Sequence, residues 1–279
     1  MTPSASRPTS LDTWGAMARG WERWRSEIEI TSAPIRDWML NALAPEPGVT
    51  VLELAAGPGD TGFRAAEMVG ETGRLISTDF SPEMVDVARR RSKELGLSNV
   101  EHRVMDAERM ELDDDSVDCV LCRFGYMLMA SPAAALAETR RVLRPGGRLA
   151  LAVWCSAVRN PWISIAGRML VERGHVPAPE PGAPGMFTMA SEERTRHLLE
   201  GAGFSGVHME EVPVLFTYPS VDEYVRRARD TGGVFSRVFR DASEDERQAM
   251  EMELEARFAP FRASDGYELP GVALVVAAS

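Results

Sequence analysis

The segment from Val49 to Gly62 constrains the fold of this chain more than any other. Its first six residues, Val49 to Leu54, are mostly apolar or β-branched, which predicts a buried strand. A glycine-rich loop follows and leads into a helical pattern. A strand, a glycine loop and a helix in this order are typical of an α/β domain whose ligand approaches the loop backbone closely.

The loop itself, Gly57-Pro-Gly-Asp-Thr-Gly62, matches the dinucleotide fingerprint G-x-G-x-x-G. Glu53 argues against a dinucleotide. A carboxylate at the strand tip, together with Asp60 at the start of the helix, would repel a pyrophosphate lying over the helix N-terminus. The same two carboxylates favour a ligand that is cationic and carries no phosphate.

Strand and helix patterns alternate at short intervals after this loop. The predicted strands are residues 49–54, 73–78, 100–105, 117–122, 148–154, 207–216 and 271–278. The predicted helices are residues 82–96, 132–143, 160–174, 191–201, 221–231 and 243–261. Such alternation predicts an α/β fold with a parallel, doubly wound sheet, whose ligand lies beyond the carboxyl ends of the strands.

Three acidic residues each end a successive predicted strand: Glu53, Asp79 and Asp106. Asp79 lies 20 residues after Gly59, where a carboxylate can accept hydrogen bonds from both hydroxyls of a ribose. Asp106 lies at the same edge and could accept from an adenine amino group. Together the three carboxylates predict a rim that binds a neutral or cationic nucleoside.

The net charge of the chain disfavours some classes of binding partner. Its 279 residues carry a formal net charge of −11, which disfavours nucleic acid and anionic membrane surfaces because both require a basic face. No apolar run reaches the roughly 18–20 residues of a membrane-spanning helix. Residues 1–10 lack the apolar core of a signal peptide. The expected location is therefore cytoplasmic.

The three cysteines agree with a reducing compartment. Cys119 and Cys122 form a C-x-x-C pattern that could be redox-active or metal-binding. Residues three apart on a predicted strand point to opposite faces of the sheet, so buried structural cysteines are the favoured interpretation. No cluster of His, Asp and Cys has the spacing of metal ligands, and no metal is expected.

Four motifs in order make the stretch from about Val49 to Trp154 resemble the class I S-adenosylmethionine (SAM)-dependent methyltransferases, in particular the ubiquinone/menaquinone-biosynthesis-like and other small-molecule members (methyltransferase type 11). The motifs are Glu53–Gly59, Asp79–Met84, Met105–Ala107 and Leu143–Gly147. The resemblance implies SAM as cofactor and a seven-stranded Rossmann-like sheet whose last strand is antiparallel and lies between strands five and six. The family usually has glycine where this chain has Ala55, so a modest backbone adjustment is expected at this residue of the cofactor loop.

The resemblance also implies which residues bind the methionine part of SAM. Gly57 and Gly59 would face it, and Glu53 would orient it directly or through water. Arg123 or Phe124, just past strand four, would lie near the amino-acid tail or the transferred methyl group.

The adenosine part of SAM is assigned in the same way. By resemblance, Asp79 would hold the ribose and Met84 would pack on the adenine, with Phe80 in the same cofactor-binding segment. Asp106 and Ala107 would bind the edge of the adenine ring.

The segments outside the motifs are expected to select the substrate. The predicted organisation is an N-terminal helical cap at 1–45, a SAM-binding domain at 46–219 and 263–279, and a helical lid at 220–262. Trp14 and Trp21 in the cap could pack in the core of a helix pair, or could close over the cofactor or line the acceptor pocket. These segments predict a small, largely apolar acceptor, because they are rich in Trp, Met and Phe and lack a basic stripe.

The sequence offers two candidate catalytic residues. His175, beside a proline-rich loop, is a candidate general base. The hydroxyl of Tyr126 could orient an acceptor, or Tyr126 could equally have a packing role. Neither residue stands in a recognisable catalytic cluster. A SAM-binding protein without transferase activity and an NAD-type oxidoreductase remain alternative functions, and homodimerisation is left open.

Overall fold

The computed structural model describes residues 7–180 and 183–279 of the chain. Most of the segment examined for a signal peptide, residues 1–6, lies outside this part, as do two residues of the proline-rich loop. Within the described residues, no helix combines the length and apolarity that a membrane span requires.

The core of the fold is one mixed β-sheet. Its strands are β1 (Thr50–Glu53), β2 (Arg74–Asp79), β3 (Val100–Val104), β4 (Val117–Arg123), β5 (Leu143–Trp154), β6 (His208–Tyr218), β7 (Arg262–Ala263) and β8 (Gly266–Ala278). The order is β3-β2-β1-β4-β5-β8-β6, and the two-residue β7 pairs with β8 off this path. Strands β1 to β5 pair in parallel, whereas β8 is antiparallel to both β5 and β6. The predicted sheet, with its antiparallel last strand between strands five and six, is confirmed.

The strand order reverses between β1 and β4. The chain proceeds outward from β1 through β2 to β3, then returns to place β4 on the other side of β1. The carboxyl ends of β1 and β4 therefore border the topological switch point, where doubly wound sheets bind their ligands. This crevice is where the predicted site residues must meet.

Ten helices flank the sheet in the part of the chain that the structure describes. They are α1 (Arg7–Arg23), α2 (Arg25–Leu43), α3 (Asp60–Val69), α4 (Pro82–Glu94), α5 (Pro132–Val142), α6 (Pro161–Glu172), α7 (Glu192–Gly201), α8 (Val221–Thr231), α9 (Gly233–Asp241) and α10 (Glu244–Phe258). Helix α4 begins at Pro82, as predicted, and Ser81 caps it because its side chain accepts a hydrogen bond from the N–H of Met84 at 3.3 Å.

Strands β6 and β8 form a ribbon that extends past the rest of the sheet. The end of β5, Trp154, pairs with Ala273, yet β8 stays paired with β6 as far back as Tyr267. Helices α6, α8, α9 and α10 pack against this ribbon around a second hydrophobic cluster that includes Phe239 and Phe258, both fully buried. We call α8, α9 and α10 the lid helices.

Helix α1 lies between the lid and helix α4. On one side, Ala18 packs with Met84 of α4. On the other, α1 approaches the lid so closely that a Cβ added at Gly20 would lie 2.0 Å from the carbonyl oxygen of Asp230. The glycine is needed because any side chain there would collide with backbone.

The lid contains three helices where two were predicted. The dipeptide Gly232-Gly233 resembles a break in the helical pattern, but Gly233 begins α9. A Cβ at Gly233 would lie 2.3 Å from the Cγ2 atom of Thr13 on α1, so this glycine permits close packing between helices. The proposed division into cap, SAM-binding domain and lid stays a prediction, and α6 shares the hydrophobic cluster of the lid.

Candidate active site

The loop after β1 has the backbone that its glycines permit. Gly57 and Gly59 adopt φ values of 54° and 90°, in the left-handed region. A Cβ at Gly59 would lie 2.4 Å from the Cζ atom of Phe63, so this residue must be glycine for α3 to pack here. Ala55, where the family usually has glycine, also has a positive φ of 50° and is exposed. The loop therefore places exposed backbone at the switch point.

Glu53 ends β1 and lies beneath this loop. Its residue is only 3% exposed, and its Oε1 accepts a hydrogen bond of 2.7 Å from the N–H of Gly62 in the first turn of α3. Burial raises the pKa of Glu53 to about 8, although the Gly62 N–H and the charge of Arg123 both oppose the shift. The carboxyl group thus holds its proton at neutral pH until a cation approaches it.

Asp79 ends β2 and ties the loop to the next strand. Its Oδ2 accepts from the N–H of Gly57 and its Oδ1 from the N–H of Ser81, both at 2.9 Å. Burial raises the pKa of Asp79, and these backbone donors oppose the shift. The N–H of Phe80 also acts on this carboxylate, which has about four lone-pair sites and therefore keeps capacity to accept from a ligand hydroxyl.

Asp106 and its neighbours complete the edge after β3. The N–H of Met105 donates to the carbonyl of Asp79 at 2.9 Å, which brings the ends of β2 and β3 together. Asp106 Oδ1 accepts from the N–H of Glu108 at 2.9 Å, and Ala107 is buried. The structure thus brings Glu53, Asp79 and Asp106 to the ends of three adjacent strands.

Met84 and Phe80 lie in the segment after β2. Phe80 is half-buried, whereas Met84 is 2% exposed. Met84 packs with Ala18 and Val87, and Trp14 and Trp21 of α1 cover this small cluster. The sequence left open whether Trp14 and Trp21 pack in the core of a helix pair or lie near the cofactor. In the structure they pack against Met84, which the resemblance assigns to the adenine.

Arg123 ends β4 and is held by α2. Its Nη2 lies 2.6 Å from Oε1 of Glu29, and its Nη1 donates to the hydroxyl of Ser32. Glu29 also accepts from Arg36 at 2.9 Å, so one carboxylate is shared by two guanidinium groups. The Arg123 and Glu29 side chains are 14% and 15% exposed, which makes this a largely desolvated ion network beside the switch point.

Arg91 is a site residue that sequence reasoning missed. It lies on α4, only 5% exposed, with Nη2 2.6 Å from Asp60 and Nη1 2.8 Å from the carbonyl oxygen of Pro58. It therefore braces the glycine loop from outside. The available signal was its position, because Met84, Ala88 and Arg91 share one face of the helix at 4- and 3-residue spacing.

The structure does not support Tyr126 as a residue that faces an acceptor. Tyr126 is 0% exposed, and its hydroxyl is hydrogen-bonded to Thr139 at 2.6 Å in the core. Burial raises its pKa well above the usual value, so it cannot serve as a base. The ring of His175 is hydrogen-bonded to Glu246 of α10 at 2.7 Å, beside Arg173. Its partners attach α6 to the lid, and none of them belongs to the strand ends.

Aromatic rings dominate the other half of the carboxyl edge. Phe124, the residue after β4, stacks on Trp154, the last residue of β5, with ring centroids 4.1 Å apart and planes 10° apart. Trp162 of α6 and Phe216 of β6 continue this row, which sequence reasoning missed because its members come from four distant segments. The cysteines Cys119, Cys122 and Cys155 are free and buried, and no described group of three His, Cys, Asp or Glu could hold a metal ion.

Comparison with known proteins agrees with this geometry. Residues 45–173 match the family model described as a methyltransferase domain. The ubiquinone/menaquinone biosynthesis C-methyltransferase UbiE of Salmonella arizonae is 36% identical over 115 residues, which cover 41% of this chain and 46% of UbiE. An uncharacterized 37.1 kDa protein from transposon Tn4556 of Streptomyces fradiae is 45% identical over 113 residues, or 40% of this chain and 32% of that protein.

The chain spans a third to about half of the length of these relatives, so the match concerns the domain and not the whole of either protein. Among solved structures, the YcgJ protein of Bacillus subtilis shares the fold, with a TM-score of 0.61 over 87% of this chain and 96% of that one at 18% identity. Residues 45–173 are therefore a methyltransferase domain of the class I SAM-dependent type, whose cofactor is S-adenosylmethionine.

Proposed function

We propose that this chain transfers a methyl group from SAM to a small, largely apolar acceptor. The observation that carries this proposal is the division of the carboxyl edge. Carboxylates end β1 and β2, and Asp106 follows β3, whereas the ends of β4 and β5 carry the stacked rings of Phe124 and Trp154. A polar, hydroxyl-rich cofactor fits the first half, and an apolar acceptor fits the second.

The cofactor would lie along the polar half. Asp79 would accept from the ribose hydroxyls through the lone pairs that Gly57 and Ser81 leave open. Asp106 and Ala107 would bind the adenine edge, with Phe80 and Met84 beside the ring.

The methionine part would lie over the loop after β1. Gly57 and Gly59 would let the ligand approach the backbone, and Ala55 would contact it with its methyl group. Its ammonium would lie near Glu53, and Arg123 would lie near the amino-acid tail.

A buried hydroxyl supports this fit. Thr61, in the first turn of α3, is 2% exposed, and its Oγ1 has no hydrogen-bond partner among the described residues. An unsatisfied buried hydroxyl costs stability unless a ligand or a water completes it. Its position at the switch point suits a polar group of the bound cofactor.

The chemistry requires alignment and exclusion of water more than proton transfer. When bound, SAM supplies an electrophilic methyl group on a positively charged sulfur. The protein must hold the acceptor in line with that methyl group and keep water from the site. Helix α1 suits the second task, because the indole N–H of Trp21 donates to the carbonyl of Thr231 at 3.2 Å, and Trp24 donates to Asp230 at 2.8 Å. These bonds attach the helix pair to the lid, and we propose that the two together cover the crevice.

Incubation with SAM labelled in the methyl group tests this proposal. The panel of acceptors is phenols, quinols, amines and fatty acids, and the label is followed into small-molecule products. We expect transfer to at least one apolar acceptor, and at least about tenfold slower transfer by a folded Asp79→Asn variant at the same subsaturating SAM concentration. Intact SAM binding with no transfer to any acceptor would favour a non-catalytic, regulatory role. Efficient methylation of nucleic acid or of a large protein surface would contradict a small acceptor.

We propose that the enzyme works in the reducing cytoplasm, which suits its free, buried cysteines Cys119, Cys122 and Cys155. Its net charge of −11 disfavours nucleic acid as a partner. Sedimentation of the purified chain tests whether it forms a homodimer.

A further inference from the structure

The direction from which the acceptor approaches follows from the strand order. This inference rests on the proposed function, which places adenosine along the ends of β2 and β3. The sheet continues from β1 in the opposite direction through β4 and β5 to the β8–β6 ribbon. With the cofactor occupying one side of the switch point, the acceptor has the other side, at the ends of β4 and β5.

That side is lined by a continuous row of rings. Phe124 and Trp154 stack at 4.1 Å, the ring centroids of Trp154 and Trp162 lie 5.1 Å apart, and those of Trp162 and Phe216 lie 4.0 Å apart at an interplanar angle of 17°. The row runs from the switch point outward to the ribbon that carries the lid. It therefore forms one wall of the space in which an acceptor must lie.

The first ring of this row is held in an unusual backbone conformation. Phe124 has a φ of 63°, which a bulky side chain rarely adopts. Its N–H donates to the carbonyl of Ala152 at 2.8 Å, and a Cβ on the next residue, Gly125, would lie 2.7 Å from Cβ of Ala55. Strained residues that the surrounding structure over-determines cluster at ligand sites. Here the strain places an aromatic ring beside the cofactor loop.

One face of Phe124 is already covered. Trp154, which is 5% exposed, packs on it, and Phe124 itself remains half-buried. No other ring stacks on Phe124 among the described residues. The guanidinium of the neighbouring residue, Arg123, is engaged by Glu29 and Ser32 of α2. The part of the Phe124 ring that Trp154 does not cover offers a π surface to a ligand.

We propose that Phe124, backed by Trp154, is the platform on which the acceptor lies, and that it selects flat aromatic acceptors such as phenols over saturated molecules of the same size. Offset stacking on an aromatic ring favours a planar π system beyond the apolar area that it buries. A saturated ring of equal size gains only the contact area. Phe124 is thus a specificity-determining residue for the acceptor.

The test uses two probes that differ only in aromaticity, 2-naphthol and decahydro-2-naphthol. Each is titrated by calorimetry into the full chain saturated with S-adenosylhomocysteine (SAH), which keeps the methyl donor out of the measurement. We expect 2-naphthol to bind about tenfold more tightly than decahydro-2-naphthol. The Phe124→Leu variant should lose most of this preference, whereas the Phe124→Tyr variant, which retains the ring, should keep it.

The outcomes distinguish a failure of this inference from a failure of the proposed function on which it rests. Equal affinity for both probes, no binding of 2-naphthol, or an unchanged preference in Phe124→Leu would overturn the platform. SAH affinity is measured in the same samples, so a chain that fails to bind SAH would instead contradict the proposed function. Should Phe124→Leu fold poorly, the Trp154→Leu variant removes the backing ring and should reduce the same preference.

Discussion

The ends of β1, β2 and β3 present carboxylates held by backbone N–H groups, whereas the ends of β4 and β5 present aromatic rings held by other rings. Glu53 and Asp79 each accept from a residue of the glycine loop or the helix after it. Phe124 and Trp154 are instead fixed by packing between segments that are distant in the chain. Hydrogen bonds to nearby backbone groups build the first half, whereas packing between distant segments builds the second. This difference suits our proposal that the first half binds a cofactor common to the family and the second an acceptor specific to this enzyme.

Removal of α1 tests whether this helix must cover both halves of the carboxyl edge of the sheet. Deletion of residues 1–24 keeps α2 and its bonds to Arg123 but removes the attachments of Trp21 and Trp24 to the lid. We expect turnover to fall by about 100-fold or more, because water enters and alignment is lost. SAH affinity should fall less than about tenfold, since the contacts of α1 on the cofactor side are with helix α4. A folded, truncated protein with full turnover would show that α1 does not shape the site.

Glu53 gives the polar half a measurable pH dependence. The fold raises its pKa from 4.5 to about 8, so the folded chain without ligand binds a proton that the unfolded chain releases. That stabilisation is complete below about pH 4.5 and is lost as the pH rises through about 8, at up to roughly 1.4 kcal/mol per pH unit. The free energy of unfolding, measured with denaturant at several pH values, should therefore fall with rising pH in the wild type more steeply than in Glu53→Gln.

The same proton opposes binding of the cationic cofactor. Between about pH 6 and 8, SAM affinity should rise by up to roughly tenfold per pH unit as Glu53 ionises, and then level off. The Glu53→Gln variant should lack this rise, while its affinity for adenosine, which has no ammonium, should be nearly unchanged. Equal losses of SAM and adenosine affinity would show that Glu53 supports the fold and does not act on the ligand.

The smallest expected effect concerns the backbone conformation of Ala55 in the loop after β1. Its φ of 50° is unfavourable for a residue with a Cβ, so Ala55→Gly should stabilise the chain by about 0.5–1 kcal/mol after the entropy cost of glycine. The melting temperature should rise by about 1–3 °C. Ala56→Gly is the matched control, because Ala56 has no positive φ and the substitution should destabilise slightly. A decrease in stability for Ala55→Gly would mean that its methyl group is needed for packing.

The polar half and the sheet were predictable because their signals are local. The span of α8, Val221–Thr231, agrees with its prediction residue for residue, since Ser220 caps it and an apolar stripe follows. Strand ends, the Ser81 cap and the acidic residues could be placed from neighbouring residues alone.

The remainder depends on contacts that no local pattern contains. Glu29 holds Arg123 across 94 positions of sequence, and the aromatic row joins residues from β4 to β6. Gly233 looks like a helix break until Thr13 of α1 is seen against it. The hydroxyl of Tyr126 is occupied by Thr139 of the next helix, which the sequence of the loop could not reveal.

Calorimetric titration of SAH into two variants tests the division between the halves most directly. Asp79→Asn removes the charge on the carboxylate that we propose binds the ribose while preserving its shape, and each charge-assisted hydrogen bond that it weakens is worth roughly 1.5–3 kcal/mol. SAH affinity should therefore fall at least about tenfold in Asp79→Asn and change by less than about twofold in Phe124→Leu. Unchanged SAH affinity in a folded Asp79→Asn variant, or an equal loss in both variants, would contradict the account.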